Sequence, residues 1–584
     1  MTTESPPTSA IDGLDRLPLP EPMRAQIAQW LREPAYTDVR PDLLATVSTA
    51  IEGLDAESAA GRSALAELED AFSGPVPIGT GGRRGPCGAG PNRVNAAMMR
   101  ETARGLAMAI KQADDEPKVA IIYDTRASSR TFALVVAAAL VADQIKVTLI
   151  DGPRPTPQLS YLARLLGCGA GVVISASHNP PTDNGIKVYG PDGAQVLGDR
   201  DKRLMAAIIA AGESPGSLPE INLEAITAGK VPIGVEHIDP DANPEGADKP
   251  YHDYVLSQGV DADDLTASGL KVVYTPLHGV GHTAVVPVLR GRGLEPIIVE
   301  AQLPDEGRFA TVASANPESP EAFAMALEVA RTSGADLIMA TDPDADRVGA
   351  MARDAGGEYR FIDGNRLGVL MLDHVLRGLS ALGSEELRRG RVLTTLVTSP
   401  LIAKLARAQD VECVDDLLVG FKFHAGAQAE AEDRPMIFAC EESHGFLRGN
   451  QIRDKDGAIA ALLLAECAAS CKRAGHTLFE RLDEIWGSHG YHREKTANLY
   501  AEGLAGRRAI AAVMDRLRSD PPEAFAGLRV SAVIDRAKPR DTGSPTRDLP
   551  GNVLSFELQA GDRACRLVLR PSGTEPKLKV YALA

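Results

Sequence analysis

The chain has 584 residues, 44% of them hydrophobic, and a formal net charge of −17 at pH 7. This length exceeds a single hydrophobic core and predicts two to four domains. The negative charge disfavours nucleic acid or an anionic membrane as the main partner, and the longest apolar run, residues 132–142, is too short to span a bilayer. The first residues lack the pattern of a secretory signal, and the seven scattered cysteines form neither a disulfide framework nor a zinc pattern, so we expect a cytoplasmic protein.

The predicted elements begin with a helical extension over residues 1–70, which carries no candidate chemistry. Apolar runs typical of buried strands then alternate with helical patterns, first at residues 119–150 and again from residues 270 and 391. After about residue 491 the chain ends in three strand-like runs. The sequence therefore predicts an α/β protein of three consecutive α/β domains with mixed sheets, followed by a smaller C-terminal α+β domain, around a central cleft.

We place the predicted domains that follow the extension at residues 71–235, 236–355, 356–490 and 491–584. A stretch rich in Pro, Gly and Asp, residues 212–249, is predicted to be a linker between the first two. Five loops carry candidate chemistry, and four of them follow a strand-like run. That is the edge of the sheet at which α/β folds bind ligands.

The serine loop (Ser175–Pro180) reads SASHNP and follows the apolar run GVVI. A serine at a strand end can be activated by a neighbouring base and a nearby cation. Ser177 is followed by His178 and, a little later, by Lys187. A lone Ser–His pair more often marks a turn or a helix cap. The hydrolase sequence G-x-S-x-G is absent here, which disfavours a lipase-like triad.

The acidic loop (Asp342–Arg347) reads DPDADR and follows the apolar run ADLIMAT. Its three carboxylates stand at alternate positions: Asp342, Asp344 and Asp346. Such a set can converge on one hard divalent cation. A calcium EF-hand is excluded, because Arg347 and Arg353 stand where that motif requires glycine and glutamate. Beside a cation, Arg347 suits a phosphate group.

The C-terminal nest (Arg570–Lys577) reads RPSGTEPK. It combines an arginine, two hydroxyls and successive peptide N–H groups around a glycine, a composition typical of an anion site. Its candidate ligand residues are Arg570, Ser572, Gly573, Thr574 and Lys577. Taken alone, the same pattern also suits an ordinary hairpin turn.

Two further loops complete the set. The glutamate loop (Cys440–Gly445), CEESHG, offers Glu441 and Ser443 as partners for sugar hydroxyls. The glycine loop (Gly79–Gly85), GTGGRRG, is basic but lacks the spacing of a dinucleotide fingerprint. No Walker A sequence occurs anywhere, which disfavours nucleotide hydrolysis of that type.

Together and in this order, the five loops resemble the alpha-D-phosphohexomutase family, from about Gly79 to the C-terminus. SASHNP is similar to the family's phosphoserine loop, DPDADR to its metal loop, and RPSGTEPKLKVY to its phosphate-binding loop. CEESHG resembles the sugar-recognition loop, and GTGGRRG resembles the opening G-T-S-G-x-R-G, which matches Arg84 to the family's active-site arginine. Shorter matches are DTR at 124–126, YTPLHGVG at 274–281, GFK at 420–422 and DKDG at 454–457.

The resemblance implies interconversion of α-D-glucose 1-phosphate and glucose 6-phosphate through a phosphoserine at Ser177. Glucose 1,6-bisphosphate would be both intermediate and activator. The implied metal is one Mg²⁺ per subunit, on Ser177, Asp342, Asp344 and Asp346. The implied catalytic residues are Ser177, His178, Lys187, Arg84 and Lys422. The implied substrate contacts are Arg347, Glu441, Ser443, Arg570, Ser572, Gly573, Thr574 and Lys577. The sequence does not rank the candidate bases, and it predicts a monomer or homodimer that acts on a small-molecule sugar phosphate.

Departures from the family pattern leave alternatives open. Cys440 stands where glycine is usual, and Pro343 replaces a glycine between two predicted metal ligands. These departures leave the sugar open, and a phosphomannomutase is one alternative. The pattern is most similar to the phosphoglucomutase and phosphopentomutase branch, so a phosphopentomutase is another. A different class is an aspartyl-phosphate-type sugar phosphatase with Asp342 as nucleophile, which would leave SASHNP unexplained. A catalytically silent sugar-phosphate sensor would lack the nucleophile or metal ligands, all of which are present.

Overall fold

The computed structural model describes residues 11–77, 82–112, 117–213, 216, 218–261, 263, 265–501, 503–561, 563–572 and 577–584. The chain divides into two units. The first unit holds Met1–Arg154, Leu162–Ala247 and Asp305–Ala310, and the second holds Pro155–Tyr161, Asp248–Pro304 and Thr311–Ala584. Among the described residues, no helix is both long and apolar enough to cross a bilayer.

The first unit is built on a six-stranded mixed sheet. Its strands are β1 (Gly82–Pro86), β2 (Lys118–Tyr123), β3 (Lys146–Ile150), β4 (Ala170–Ile174), β5 (Asp183–Tyr189) and β6 (Val235–Ile238). Their order is β1-β5-β4-β2-β3-β6; β4, β2, β3 and β6 run parallel, whereas β5 is antiparallel to both of its neighbours. The Val and Ile runs of β2 and β4 are buried, as expected of parallel strands covered on both faces by helices.

The helices of the first part of the chain are α1 (Glu21–Arg32), α2 (Arg40–Ala56), α3 (Ala59–Ala71), α4 (Ala96–Ile110), α5 (Ser129–Ala142), α6 (Thr156–Leu165), α7 (Asp199–Gly212) and α8 (Leu223–Thr227). The first three enclose an apolar core of their own, which includes Leu31, Leu43 and Leu68 and reaches Ala97 of α4. This N-terminal module therefore packs on the outside of a helix of the α/β sheet.

The stretch predicted as a linker, residues 212–249, contains more than a linker. It forms α8 and the edge strand β6, in which Val235 lies opposite Val147 and Ile238 opposite Ile150. The prediction was wrong here because VEHI is short and has no apolar run, so pairing with β3 defines the strand and hydropathy does not.

Two α/β sheets follow in the second unit. The strands of the first are β7 (Val272–Thr275), β8 (Ile297–Ile298), β9 (Leu337–Thr341), β10 (Val348–Arg353) and β11 (Tyr359–Ile362), and those of the second are β12 (Arg391–Thr395), β13 (Glu412–Leu417), β14 (Met436–Glu441) and β15 (Gly445–Leu447). Their orders are β11-β10-β9-β7-β8 and β13-β12-β14-β15. Both are mixed, because β10, β11 and β15 pair antiparallel with their neighbours.

The helices of these two sheets are α9 (Asp248–Leu256), α10 (Val285–Gly291), α11 (Ala324–Ser333), α12 (Gly364–Ala381), α13 (Glu386–Arg389), α14 (Pro400–Ala408), α15 (Phe421–Ala429), α16 (Gly457–Arg473) and α17 (Leu478–His489). Helix α16 is buried along most of its length. It packs against α10 and α12, which belong to different sheets. The apolar sequence of α16, IAALLLA, therefore joins the two α/β layers of this unit.

The C-terminal sheet has six strands: β16 (Glu494–Tyr500), β17 (Ala524–Phe525), β18 (Leu528–Asp535), β19 (Leu554–Ala560), β20 (Arg563–Pro571) and β21 (Lys577–Leu583). All neighbours are antiparallel, in the order β16-β21-β20-β19-β18-β17. Helix α18 (Gly503–Ser519) places Met514 in a core with Leu554 and Phe556. The predicted fold class, three α/β domains and a smaller C-terminal α+β domain, is confirmed.

A loop of the C-terminal domain binds the preceding α/β domain. In this clasp (residues 536–547), Arg547 donates two hydrogen bonds to Asp416, at 2.9 and 2.8 Å, and Arg540 donates one at 2.6 Å. Burial alone would raise the pKa of Asp416, but the bonds from both arginines hold that pKa below its ordinary value. Glu430 accepts further bonds from Ser544 Oγ and the Thr546 peptide N–H.

Candidate active site

The serine loop lies between β4 and β5 of the first unit. Ser177 is 3% exposed and has a left-handed backbone, with φ of +52°. Its peptide N–H donates to Ser175 Oγ at 2.8 Å, and its own Oγ lies 3.3 Å from Nδ1 of His178. A strained, non-glycine conformation persists only where surrounding contacts enforce it, and such positions cluster at functional sites.

The contacts that enforce this conformation come from Arg126, whose side chain is fully buried. Its two terminal nitrogens donate to main-chain carbonyls of the loop and of the following strand: Ser177, Asn179, Pro180 and Asp183. Its Nε donates to Asp124 at 3.1 Å, and Asp124 also accepts from Ser129 Oγ. One buried arginine therefore binds three main-chain carbonyls of the serine loop and one of the following strand.

Strands β1 and β5 place two predicted catalytic cations on one face of the sheet. Arg84 pairs with Gly185 and Gly82 with Lys187, so the side chains of Arg84 and Lys187 are diagonal neighbours. Arg84 is exposed, whereas Arg83 is buried on the other face with Glu101 at 3.0 Å. The register thus places Arg84, and not Arg83, on the face of the sheet that carries Lys187. Gly79, Thr80 and Gly81 of the glycine loop lie outside the described residues.

The acidic loop follows β9 of the second unit. All three of its aspartates are buried, and one oxygen from each lies within 4.8 Å of the others. Asp342 Oδ1 accepts hydrogen bonds from the peptide N–H groups of Asp346 and Arg347, at 3.1 and 3.0 Å. Asp344 Oδ2 accepts from Thr156 Oγ at 2.8 Å. Ala345, with φ of +53°, makes the turn that brings the carboxylates together.

The segment DKDG stands directly behind the acidic loop. Lys455 Nζ lies 2.8 Å from Asp346 Oδ2 and 3.4 Å from Asp454 Oδ1. Burial by itself would lower the pKa of Lys455, but the two carboxylates raise it above its ordinary value. Gly457 donates its N–H to the Ala345 carbonyl at 3.0 Å. Lys455 thus offsets part of the negative charge of the three buried aspartates, and this all-oxygen set fits a hard divalent cation.

Two neighbours fix the two sides of the acidic loop. Arg347 forms a partly buried ion pair with Glu318. Pro343, at the position where the resemblance expected glycine, packs on Gly279, where a methyl group would lie 2.3 Å from the Pro343 Cα. The main chain at Pro343 therefore leaves no room for a side chain at Gly279 of YTPLHGVG.

The glutamate loop joins β14 to β15. Glu441 is 4% exposed and accepts a hydrogen bond from the Gly420 N–H at 2.7 Å. His444 exchanges hydrogen bonds with Val348, the residue after the acidic loop: His444 Nδ1 lies 3.0 Å from the Val348 carbonyl, and the Val348 N–H donates back to His444 O. Burial lowers the pKa of His444 and so favours its neutral form. Ser443 is half-buried between these two anchored residues.

Lys422, the predicted catalytic lysine of GFK, lies in the first turn of α15. It is 6% exposed, and its ammonium is 5.3 Å from the centre of the Phe423 ring. Because Gly420 bonds Glu441, the start of α15 is tied to the glutamate loop. The structure thereby brings Lys422, Glu441 and Ser443 into one region of the second unit.

The C-terminal nest is described only in part, because Gly573 and Thr574 lie outside the described residues. Arg570 belongs to β20 itself and pairs with Lys579 of β21, so it is a strand residue and not a turn residue. The Ser572 N–H donates to the Lys577 carbonyl at 2.9 Å, and Lys577 lies 5.8 Å from the Tyr500 ring centre. These contacts support a hairpin that gathers three cations: Arg570, Lys577 and Lys579.

The second glutamate of the glutamate loop faces these cations. Burial and the charge of Glu441 raise the pKa of Glu442 to about 7, while Lys579 opposes the shift. In turn, burial and the charges of Lys577 and Arg570 lower the pKa of Lys579, against the effect of Glu442. The glutamate loop and the C-terminal sheet are thus electrostatically coupled within the second unit.

Comparison with known proteins identifies the family. Three domain models match in succession: phosphoglucomutase/phosphomannomutase, alpha/beta/alpha domain I over residues 76–214, domain II over 249–357 and domain III over 363–489. A phosphoglucomutase of Staphylococcus aureus (strain bovine RF122 / ET3-1) is 36% identical over 526 residues, covering 88% of this chain and 90% of that protein. The chain belongs to the phosphoglucomutase/phosphomannomutase family. A phosphoglucomutase of Staphylococcus haemolyticus is also 36% identical, over 88% of this chain and 91% of that protein.

Solved structures of the phosphoglucomutase/phosphomannomutase family share the fold. A family protein from Burkholderia thailandensis superposes with a TM-score of 0.61 at 18% identity, covering 87% of this chain and 93% of that chain. The pp63/parafusin phosphoglucomutase of Paramecium, in its open form, gives 0.61 at 17%, covering 87% and 89%. The predicted family is confirmed. The chain is accordingly a phosphohexomutase, an isomerase of sugar phosphates from a metal-dependent family, with a buried aspartate cluster able to bind a metal.

Several charged residues that lie in the candidate loops or contact them were not singled out as site residues from the sequence. They are Arg126, Glu318, Glu442, Lys455 and Lys579. Arg126 and Lys455 stand in short segments that were noticed only as matches to the family, DTR and DKDG. Their contacts are with residues far away in the chain, and no local pattern indicates such contacts. Because a buried charge needs a partner, a charged residue at the end of an apolar run was the sequence signal that could have indicated these contacts.

Proposed function

We propose that the chain interconverts α-D-glucose 1-phosphate and glucose 6-phosphate by way of a phosphoserine at Ser177 and glucose 1,6-bisphosphate. The observation that carries this proposal is the 36% identity to staphylococcal proteins named phosphoglucomutase over 88% of the chain. The buried serine on a strained loop and the buried aspartate cluster supply the chemical groups that the reaction needs. We further propose that the enzyme is cytoplasmic and acts as a monomer or homodimer.

In the proposed reaction Ser177 carries the phosphoryl group and serves as leaving group. A sugar hydroxyl oxygen forms the new bond to phosphorus as the bond from phosphorus to Ser177 Oγ breaks, and the hydroxyl proton passes to a base. Candidates for that base are His178, Lys187, Lys422 and Arg84. His178 already lies within hydrogen-bonding distance of Ser177 Oγ, and Lys187 and Arg84 share one face of the sheet. The reverse transfer with the other phosphate of the bisphosphate restores the phosphoserine: Ser177 Oγ forms the bond to phosphorus, the bond from phosphorus to the sugar oxygen breaks, and a proton passes to that oxygen.

Three residues would hold Mg²⁺: Asp342, Asp344 and Asp346. The prediction that Ser177 supplies a further ligand is part of the same proposal. When bound, Mg²⁺ would neutralise charge on the transferring phosphoryl group. The chain's contribution is to keep three carboxylates buried and close together, with Lys455 offsetting one of them and Arg347 held by Glu318 at the loop's end.

Substrate contacts are assigned to two regions of the second unit. Glu441 and Ser443 would bind sugar hydroxyls, with Arg347 nearby. The substrate's resident phosphate would bind at the C-terminal nest, through Arg570, Ser572, Gly573, Thr574 and Lys577. The three cations of this hairpin support an anion site, because charge-assisted hydrogen bonds are the strong ones.

The decisive experiment is intact mass spectrometry with an assay of glucose 1-phosphate conversion, in Mg²⁺ and a trace of glucose 1,6-bisphosphate. We expect wild-type protein to carry one phosphate, and Ser177→Ala to lose both the phosphate and the activity. Ser63→Ala, at an exposed position of α3, is the matched control and should behave as wild type. An active, unphosphorylated Ser177→Ala protein would reject the proposal and favour the aspartyl-phosphate-type sugar phosphatase, with Asp342 as nucleophile.

The sugar is settled by the same assay with other substrates. We expect a higher kcat/KM for glucose 1-phosphate than for mannose 1-phosphate or ribose 1-phosphate. A preference for mannose or ribose phosphate would reassign the chain to phosphomannomutase or phosphopentomutase activity, without changing the proposed role of Ser177.

A further inference from the structure

A short segment of the chain folds apart from its sequence neighbours. This hook (Asp305–Ala310) belongs to the first unit, although the chain on either side belongs to the second. Asp305 closes it: its carboxylate accepts from the N–H groups of Phe309 and Ala310, at 2.9 and 2.8 Å, and its carbonyl accepts from Arg308 Nε. The hook is therefore a locally bonded loop with a defined shape.

The backbone of the hook is strained. Glu306, Gly307 and Phe309 have φ values of +61°, +81° and +50°. A left-handed conformation is unfavourable for a bulky side chain such as that of Phe309. Such a residue keeps this conformation only where its surroundings enforce it, and enforced strain of this kind is concentrated at functional sites.

Phe309 packs on Arg126, the residue that shapes the serine loop. The Phe309 side chain is 4% exposed, and its ring centre lies 5.1 Å from the Arg126 guanidinium carbon. Gly307 contacts the same place through the backbone, because a methyl group there would lie 2.2 Å from Ala127 N and 3.0 Å from Arg126 Cα. The hook thus contacts both the side chain and the main chain of Arg126.

The guanidinium of Arg126 has no N–H group left to anchor it further. An arginine has five N–H donors. Those of Arg126 are directed to Asp124 and to four carbonyls, three of which lie in the serine loop. Only its planar faces remain, and an aromatic ring is the neutral group that binds such a face. Phe309 therefore restrains the Arg126 guanidinium perpendicular to its plane, the direction in which its N–H groups form no hydrogen bonds.

We propose that Phe309 and Gly307 are positioning residues for Ser177. By covering the face of Arg126, the hook holds the guanidinium in the plane that binds the Ser177 carbonyl, and so holds the serine at its strained backbone angle. The inference rests on the proposed function, since it takes Ser177 as the carrier of the phosphoryl group. Phe309 and Gly307 touch no reacting atom and act through Arg126.

Phe309→Leu tests the aromatic contact, because leucine remains apolar but has no π face. We expect kcat to fall about tenfold, the loss of one cation–π contact of this kind, while KM for glucose 1-phosphate changes little. Phosphorylation of dephosphorylated enzyme by glucose 1,6-bisphosphate, timed by intact mass, should slow by a similar factor. The matched control is Phe72→Leu in the N-terminal module, where the phenylalanine is equally buried, at 4% exposure, and contacts Trp30.

Gly307→Ala tests the backbone contact without altering the ring. It adds a methyl group against Ala127 N in a left-handed position. Gly167→Ala is the matched control: Gly167 has φ of +62°, and a methyl group there meets nothing within 4 Å. Both variants carry the backbone cost of alanine at positive φ, but only Gly307→Ala should slow the phosphorylation of Ser177.

The proposal is overturned if Phe309→Leu and Gly307→Ala lose thermal stability like their controls yet keep wild-type kcat and wild-type phosphorylation rates. If Phe309→Leu does not fold, Gly307→Ala decides the question. Failure of the proposed function gives a different result, because wild-type protein would then carry no phosphate on Ser177 and Ser177→Ala would remain active.

Discussion

The serine loop and the acidic loop have similar backbones but are held in place by different kinds of contact. Both follow a buried strand, and both turn through one non-glycine residue at positive φ: Ser177 at +52° and Ala345 at +53°. The serine loop is held through its carbonyls by one buried arginine, Arg126. The acidic loop is held through its carboxylates, by peptide N–H groups and by Lys455. Substitutions around the serine loop should therefore alter the position of Ser177. Substitutions around the acidic loop should alter the net charge at the three aspartates.

The largest effect should come from the acidic loop itself. Asp344→Asn keeps an oxygen for Thr156 but removes one of the three negative charges. We expect at least about a hundredfold loss of activity, because the charge and number of oxygen ligands set divalent-cation affinity. Isothermal titration with Mg²⁺ should show weakened binding, whereas Asp433→Asn at an exposed site should not. Unchanged Mg²⁺ affinity and turnover would remove the acidic loop from the proposed site.

The next test compares the cation that holds the acidic loop with the cation that holds the serine loop. Removal of either buried cation, by Lys455→Met or Arg126→Met, should destabilise the metal-free protein by about 3–5 kcal/mol, since each takes the nearest cation from a buried carboxylate. Added Mg²⁺ should restore the urea-unfolding midpoint of Lys455→Met more than that of Arg126→Met, because a cation at the acidic loop replaces the lost charge only in the first. Equal responses to Mg²⁺ would contradict the comparison.

The smallest effect concerns Glu442, a buried acid of the glutamate loop. The raised pKa of Glu442, about 7, means that the folded protein favours its neutral form. The stability that Glu442 contributes is fully present below its ordinary pKa and is lost as the pH rises through about 7. We expect the thermal midpoint of wild type to fall between about pH 5 and pH 8 more steeply than that of Glu442→Gln. The exposed Glu385→Gln serves as control, and parallel curves for all three proteins would show that Glu442 does not titrate in this range.

Local sequence predicts the loops but not what holds them. Strands such as LIMAT are buried on both faces and can be recognised from their apolar composition. Ser177 and the three aspartates stand in short segments directly after such strands. By contrast, Arg126 bonds carbonyls 51 to 57 residues away, and Lys455 reaches Asp346 from a different α/β domain. These partners are chosen by tertiary folding, which no periodicity records. Strand β6 escaped prediction for the same reason.

The clasp of the C-terminal domain has a mechanical consequence. The sheet of β16–β21 is joined to the preceding domain not only by the chain near residue 490 but also by the bonds of Arg540 and Arg547 to Asp416. A pivot at the covalent connection alone would have to shear those bonds. Any rotation of the C-terminal sheet away from the preceding domain must therefore first break the bonds of Arg540 and Arg547 to Asp416.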